Sequence, residues 1–328
     1  TATRSHFPVI VVGGGPAGLT AALYAAREGI DVLVIERAAF GGQAAGTERL
    51  DNLPGFPDGV AGIDFADRLR QQAVRFGVEL LQAQNVTSVH HNGLYHVVTT
   101  EDGSEYSTCA LLISSGSRYR RLNVPGESDY IGAGVHFCAT CDGPFYKGKH
   151  VAVVGGGNSA AEESLLLTKF ADRVTIIVRD DHFKASQIIQ DSVLNEPKID
   201  VLWQTQVQDF QGAESKLKEL TLLKDGETQT IEFDGAFIFI GLDPNTSFLE
   251  DSQVRRNEWG FILTGHELVH EPGWTADHGA MEPAVLETSV PGIFAAGDVR
   301  AGSTKQVASA TGEGATAALL IREYLKTI

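Results

Sequence analysis

The chain has 328 residues, 43% of them hydrophobic, with 36 glycines and a formal net charge of −16. That length is more than one hydrophobic core usually serves, and the apolar fraction is that of a folded two-domain α/β protein rather than a disordered chain. The acidity, with a pI near 5.0, repels phosphate backbones and disfavours a nucleic-acid partner.

In chain order, Val9–Val12 is a short β-branched run closed by Gly13-Gly-Gly-Pro-Ala-Gly18. An alanine-rich helix is predicted from there to about Gly29, then a strand at Val32–Ile35 ending on Glu36. Leu94–Thr100 and Ser107–Ile113 read as strands around a turn at Asp102-Gly103. Cys138-Ala-Thr-Cys141-Asp142 precedes a second unit of the same kind. There Val151–Val154 leads into Gly155-Gly-Gly-Asn-Ser-Ala160, a helix through about Phe170, and a strand at Val174–Val178. Leu217–Leu223 and Gln229–Phe233 flank Asp225-Gly226 as a further hairpin. Gly292–Asp298 reads as an apolar strand with a polar turn, and Ala308–Leu325 as the terminal helix.

Strand, glycine turn, helix and strand, written twice, begin two dinucleotide-binding folds. The first glycine permits the tight turn, the second lets backbone approach a pyrophosphate, and the third position must be small for the helix to pack on the strand. The helix N-terminus then offers free N–H groups and a positive dipole end to phosphate. Gly13, Gly15 and Gly18, with Pro16 and Ala17 between them, complete the pattern; Gly155 and Gly157 open the second copy, which ends in Ala160. Because the terminal helix follows another glycine-rich turn, the chain is expected to return to its first domain. The second unit is then an insertion in the first, with boundaries at residues 1–121 and 246–328 against 122–245.

Glu36 stands where an acid accepts hydrogen bonds from an adenosine ribose and repels a 2′-phosphate, so the first site suits FAD or NAD. In the second unit Val178 takes that place, followed by Arg179-Asp180-Asp181-His182-Phe183-Lys184. Arg179 can hold a 2′-phosphate with its planar guanidinium and Lys184 can assist as a point charge, alongside Asn158 and Ser159 of the turn. Asp180 and Asp181 oppose them. The segment reads either as an NADPH site or as a nucleotide fold whose charged loop is merely solvated.

Three cysteines are too few for a disulfide framework. Cys109, within an apolar run, reads as a small core residue. Cys138 and Cys141 are spaced for reversible disulfide chemistry; placed at a helix start, their thiols are acidified by the dipole. Asp142 can shuttle a proton to or from a leaving thiolate. His136, Cys138 and Cys141 also have the spacing of zinc ligands, but no second cysteine pair completes such a site, so no metal is expected there. No apolar run approaches the ~18 residues of a membrane helix, and Thr1–Pro8 lacks a secretion signal's pattern. A cytoplasmic protein without membrane association is expected.

Over nearly its whole length the chain resembles the low-molecular-weight, bacterial-type thioredoxin reductases. The residues that carry the likeness are Gly13-Gly-Gly-Pro-Ala-Gly18, Gly41-Gly-Gln43, Asn52-Leu-Pro-Gly55, Cys138-Ala-Thr-Cys-Asp142, Gly155-Gly-Gly-Asn-Ser-Ala160 and Thr288–Asp298. The resemblance implies two Rossmann-like domains, each a three-layer ββα arrangement, and a homodimer. It implies FAD held by the first glycine turn with Glu36, Gly42, Gln43, Asn52, Gly297, Asp298, Lys305, Gln306 and Val307. It implies that electrons reach the Cys138–Cys141 disulfide through FAD and pass on to thioredoxin. Cys141 resembles the flavin-facing sulfur, Cys138 the one that attacks the substrate, and Asp142 the acid/base. Domain rotation is implied about Arg120–Val124 and Leu242–Asn245.

The chain departs from that pattern in places. The family's His-Arg-Arg-x-x-x-Arg signature for NADPH appears as Val178-Arg179-Asp180-Asp181-His182-Phe183-Lys184, and Ala-Thr-Gly appears as Ser114-Ser115-Gly116. The first change leaves open a different donor, such as a reduced ferredoxin, or a flavin redox sensor without turnover. Thr264–Leu286 is longer than the family needs and carries His266, His270, Trp274 and His278, which read as solvated loop residues rather than metal ligands.

Overall fold

The structure, a computed structural model, describes residues 2–93, 95–274 and 283–328. The chain divides into two compact units, Thr1–Arg118 with Asp243–Ile328, and Tyr119–Leu242. It crosses between them a few residues ahead of Pro125 and Pro244. The crossings are held within each unit: Asn245 N–H donates to Gly116 O at 2.9 Å in the first, and Arg120 N–H to Gly241 O at 3.1 Å in the second.

In the first unit Glu79–Gln82, Val32–Glu36, His6–Val12 and Glu105–Ile113 lie side by side as parallel strands. Glu105–Ile113 is long enough to serve two neighbours on its far edge. Its first half pairs antiparallel with Tyr95–Thr100, and its second half pairs parallel with Ile293–Ala295. The strand alternation decides the layers. Val9 and Val11 enter a core under the helices Pro16–Arg27, Gly62–Arg75 and Val307–Leu325, whereas Ile10 and Val12 enter a second core on the other face. Both faces are covered, so the run His6–Val12 is continuously apolar from Val9 onwards.

The second unit repeats the scheme. Ile199–Leu202, Arg173–Ile177, His150–Val154, Gly235–Ile238 and Val135–His136 form an all-parallel sheet. Val151 and Val153 face the helices, while Ala152 and Val154 face an antiparallel sheet of Thr205–Ala213, Lys216–Lys224 and Glu227–Glu232. Each unit is therefore a Rossmann-like α/β fold, as expected from the repeated glycine turns.

Several elements are shorter than the sequence pattern suggests. The second glycine helix ends at Leu167, and the strand before Asp298 is only Ile293–Ala295. The strand expected from Leu94 runs Tyr95–Thr100, Leu94 itself lying outside the described residues. Cys109 is half-buried rather than a full core residue, and burial pushes its thiol pKa up. Among the described residues no helix is long and apolar enough to cross a membrane.

Candidate active site

The first glycine turn is shaped by close backbone approach. Gly13 has φ +106°, donates its N–H to Ile35 O at 2.9 Å, and would drive a Cβ into the Ser114 carbonyl. Ser114, in place of the family's alanine, sends its hydroxyl to Val12 O at 3.2 Å and Gly13 O at 3.0 Å. The helix then starts at Pro16, with Gly15 as an N-cap that brings no side-chain cap. Its first-turn N–H groups thus stay available to an anion. Glu36 is 9% exposed and accepts from Gly14 N–H at 2.7 Å and from Ala38 N–H at 2.9 Å. Those two bonds fix its carboxylate beside the turn.

The C-terminal segment returns to this turn. Gly314 lies so close to Ala17 that a Cβ there would strike the Ala17 carbonyl, which seats the helix Val307–Leu325 on the helix Pro16–Arg27. Glu313, on the same helix, accepts from Gly297 N–H at 2.7 Å and pairs with Arg300 at 2.9 Å. No motif flagged Glu313 or Arg300, because an acid in an alanine-rich helix carries no local signal. Burial is the main cause raising the Asp298 carboxyl pKa, and burial likewise lowers that of Lys305. The Lys305 ammonium lies 4.7 Å above the Phe261 ring and donates to Arg300 O and Ser303 O. Asn52 donates to Gln306 at 2.9 Å, and the Gln43 amide donates to Ser117 O. Gly42 Cα faces Gly15, where a Cβ would approach to 3.2 Å. These residues, scattered from 13 to 307 in sequence, belong to the first unit.

The second turn has the same backbone logic with different chemistry after it. Gly155, φ +146°, donates to Ile177 O at 3.1 Å, and its own Cβ would meet the Phe239 carbonyl. Gly157 caps the helix Asn158–Leu167 without a side-chain bond. Asn158 is occupied, accepting from Ser186 N–H at 2.8 Å. Val178 is buried at 1% exposure. Beyond it, Asp180 Oδ2 lies 2.9 Å from Lys184 Nζ and 3.8 Å from Arg179 Nε. The Lys184 hydrogen bond is the main cause holding the Asp180 carboxyl below its usual range. His182 is engaged with Asp181 at 2.6 Å.

Cys138 and Cys141 form a disulfide with Cα atoms 5.3 Å apart. Cys138 is the N-cap of Ala139–Asp142, and its sulfur accepts from Cys141 N–H at 3.1 Å. The pair sits at a helix start as expected from sequence, but that helix is a single turn continued by the 3₁₀ turn Gly143–Tyr146, so few aligned peptide dipoles stand behind the thiols. The charged neighbours lie elsewhere. His136 Nδ1 lies 3.3 Å from Asp142 Oδ2, and His136 Nε2 lies 2.6 Å from the Tyr146 hydroxyl. Both ring nitrogens thus have partners within this unit, and the two sulfurs are bonded to each other, which leaves the zinc-like spacing without free ligands. His266 and His270 contact each other at 2.9 Å, Trp274 packs with Leu263, Leu268 and Ala301, and His278 lies outside the described residues.

Residues 7–314 match the model of the pyridine nucleotide-disulphide oxidoreductases. A thioredoxin reductase of Treponema pallidum is 40% identical over 327 residues, with 99% of each chain covered. One from Bacillus subtilis is 37% identical over 324 residues, covering 98% of this chain and 96% of the relative. The solved thioredoxin reductase of Streptococcus pyogenes superposes with a TM-score of 0.89 at 36% identity, covering 99% of this chain and all of that one.

The chain belongs to the thioredoxin reductases.

Like the rest of that family it is a flavin-dependent disulfide oxidoreductase, and its Cys138–Cys141 pair is the disulfide through which electrons leave the protein for thioredoxin. FAD is the cofactor that the family requires. Within a thioredoxin reductase the two sulfurs must alternate between disulfide and dithiol, so each cycle moves two electrons and two protons at Cys138 and Cys141.

Proposed function

We propose that the unit of residues 1–118 and 243–328 holds FAD, and that the inserted unit takes a reduced nicotinamide dinucleotide, NADPH, as electron donor. What supports the first assignment best is the paired hydrogen bonding of Glu36, which aims a buried acid at the ribose position of a glycine turn whose helix is uncapped. Gly13, Gly15, Pro16, Ala17 and Gly18 form the pyrophosphate cradle. Gly42, Gln43, Asn52, Gly297, Asp298, Lys305, Gln306 and Val307 complete the enclosure. Bound there, FAD supplies a two-electron reductant for the disulfide.

In the inserted unit Gly155, Gly157, Asn158 and Ser159 receive the donor's pyrophosphate, and Arg179 and Lys184 its 2′-phosphate. Both cations already contact Asp180, so a 2′-phosphate must displace a carboxylate to be bound. Exposed pairs of this kind hold weakly, and a charge-assisted phosphate contact is the stronger interaction. The same occupancy favours a second reading, in which the electrons come from a reduced protein such as ferredoxin. Cys138 attacks the thioredoxin disulfide while Asp142 handles the proton of Cys141. The protein acts as a cytoplasmic homodimer.

Anaerobic stopped-flow absorbance decides the donor. Rapid loss of the flavin band on mixing with NADPH, and slower loss with NADH, is the expected result. No loss with either nucleotide would overturn the nicotinamide assignment in favour of a protein donor.

A further inference from the structure

Close to the disulfide lies a buried titratable cluster that the electron path does not require. His136, 9% exposed, ends the strand Val135–His136, two residues before Cys138. Its ring lies between the Tyr146 hydroxyl at Nε2, 2.6 Å away, and the Asp142 carboxylate at Nδ1, 3.3 Å away. The Phe237 ring packs on both, with centroids 5.3 Å from His136 and 5.4 Å from Tyr146. Gly235 leaves the room that the Tyr146 ring fills, since a Cβ there would strike it. The sheet, the redox turn and the 3₁₀ turn thus each contribute to a fixed line Tyr146, His136, Asp142, ending at the residue next to Cys141.

We propose that His136 is a positioning residue for the disulfide reaction, forming with Asp142 a pair that stores the single proton exchanged at Cys141. The inference rests on Asp142 being the acid/base, and adds the group through which Asp142 acts. Of the two imidazole tautomers, the one that donates Nε2–H to Tyr146 turns the Nδ1 lone pair toward Asp142 Oδ2. In that tautomer an emptied pair sets two acceptors against each other at 3.3 Å, and a proton placed between them relieves the repulsion. A filled pair is an imidazolium against a carboxylate, which satisfies both.

The resolving step then balances. In the mixed disulfide, the Cys141 S–H proton passes to the emptied pair, and the Cys141 sulfur attacks the Cys138 sulfur. The bond between Cys138 and the substrate sulfur breaks. The substrate leaves as a thiolate, which takes the proton from the filled pair. Two electrons of the dithiol have gone to the substrate disulfide, and the Cys141 proton ends on the released thiol. Tyr146 does not compete for that proton: burial first, then the charges of Asp142 and Asp234, push its hydroxyl pKa up, so it stays neutral. The other charged groups around the cluster are Lys149, whose ammonium lies 5.2 Å from the Tyr146 ring centroid, and Glu163, which interacts with the backbone of Ala139 and whose carboxyl pKa burial raises. Neither of these has a contact with His136 like those of Asp142 and Tyr146.

The test uses holoenzyme reduced anaerobically with one equivalent of dithionite and mixed with excess bis(2-hydroxyethyl) disulfide, an alkyl disulfide whose released thiolate takes up a proton, with the rate followed from about pH 5 to about pH 9. Wild type is expected to show a neutral step from the exchanged proton, besides the step for the thiol. His136→Asn keeps an amide near the Nδ1 position but cannot titrate; the neutral step should vanish, with a rate near neutrality lower by about 10-fold. Tyr146→Phe keeps the ring but removes the hydroxyl at Nε2, and should move the neutral step. A His136→Asn profile that keeps the neutral step, even with a uniformly lower rate, overturns the proposal, since that is what a structural role produces. Should His136→Asn fail to fold with FAD, a Tyr146→Phe profile identical to wild type overturns it instead. Asp142→Asn separates the two layers. A loss of about 100-fold supports Asp142 as the acid/base, whereas an unchanged rate removes that assignment and the proposal with it.

Discussion

The two glycine turns of this chain have nearly the same backbone and opposite sequels. Gly13 and Gly155 both take a positive φ, both donate to the neighbouring strand, and both open a helix without a side-chain cap. After the first, Glu36 is buried and bonded to Gly14 and Ala38. After the second, Val178 is buried in the matching place, and the charges move outward to Arg179, Asp180 and Lys184 on the surface. The fold supplies an uncapped helix start in both units, and under the proposed assignment the residue closing the second strand sets which ribose each takes. A buried acid makes one answer rigid; an exposed cation–carboxylate cluster leaves the other adjustable.

The largest effect belongs to neither turn but to the sulfurs that the second unit carries. Cys138→Ser should abolish thioredoxin reduction while the flavin spectrum remains, because the attacking sulfur is lost and the FAD residues are untouched. Retained turnover in a thioredoxin assay would show that Cys138 is not the attacking sulfur. On the first turn, Glu36→Ala leaves two backbone N–H groups without their acceptor and removes the proposed ribose contact. FAD affinity should fall about 100-fold, equivalent to roughly 2.7 kcal/mol, as read by flavin release during dialysis titration. Unchanged retention would mean that the acid is only structural.

Acid should also separate the units. His96 of the first unit is 1% exposed, and desolvation, helped by the charge of His91, lowers its pKa to about 4. Its folded value is depressed, so the stability it confers is present above the unfolded value near 6.5 and is lost as the pH falls toward 4. The loss should be about 2 kcal/mol over that window. His150 of the second unit is half-buried and bonded to Thr175, and its pKa is lowered by burial first, so a smaller effect is expected there. Hydrogen exchange at pH 7 and pH 5 reads both, and a first unit that opens no more readily at pH 5 breaks the contrast. The smallest effect is the most informative about the donor. Asp180→Asn removes the charge that faces Arg179 and Lys184, and should raise kcat/KM for NADPH relative to NADH by about 10-fold. A ratio unmoved by that substitution would show that these cations do not read the 2′-phosphate.

Much of this molecule is legible in its sequence, for physical reasons that act locally. A continuous β-branched run, glycines where only a bare backbone fits, and an acid or its absence after the second strand specify two dinucleotide folds, and two cysteines three apart specify a closable pair. What the tertiary structure alone decides is which distant groups meet. Glu313 reaches Gly297 and Arg300 because Gly314 lets two helices touch. The redox turn proves too short for a helix dipole, so its electrostatics come from His136 and Tyr146, held there by the parallel sheet and the bare Gly235. Along the chain His136 shows only a zinc-like spacing that no second cysteine pair completes; its partners lie six and ten residues on and are chosen by the fold. Charge interactions depend on through-space distance and burial, which residue spacing along a chain does not encode.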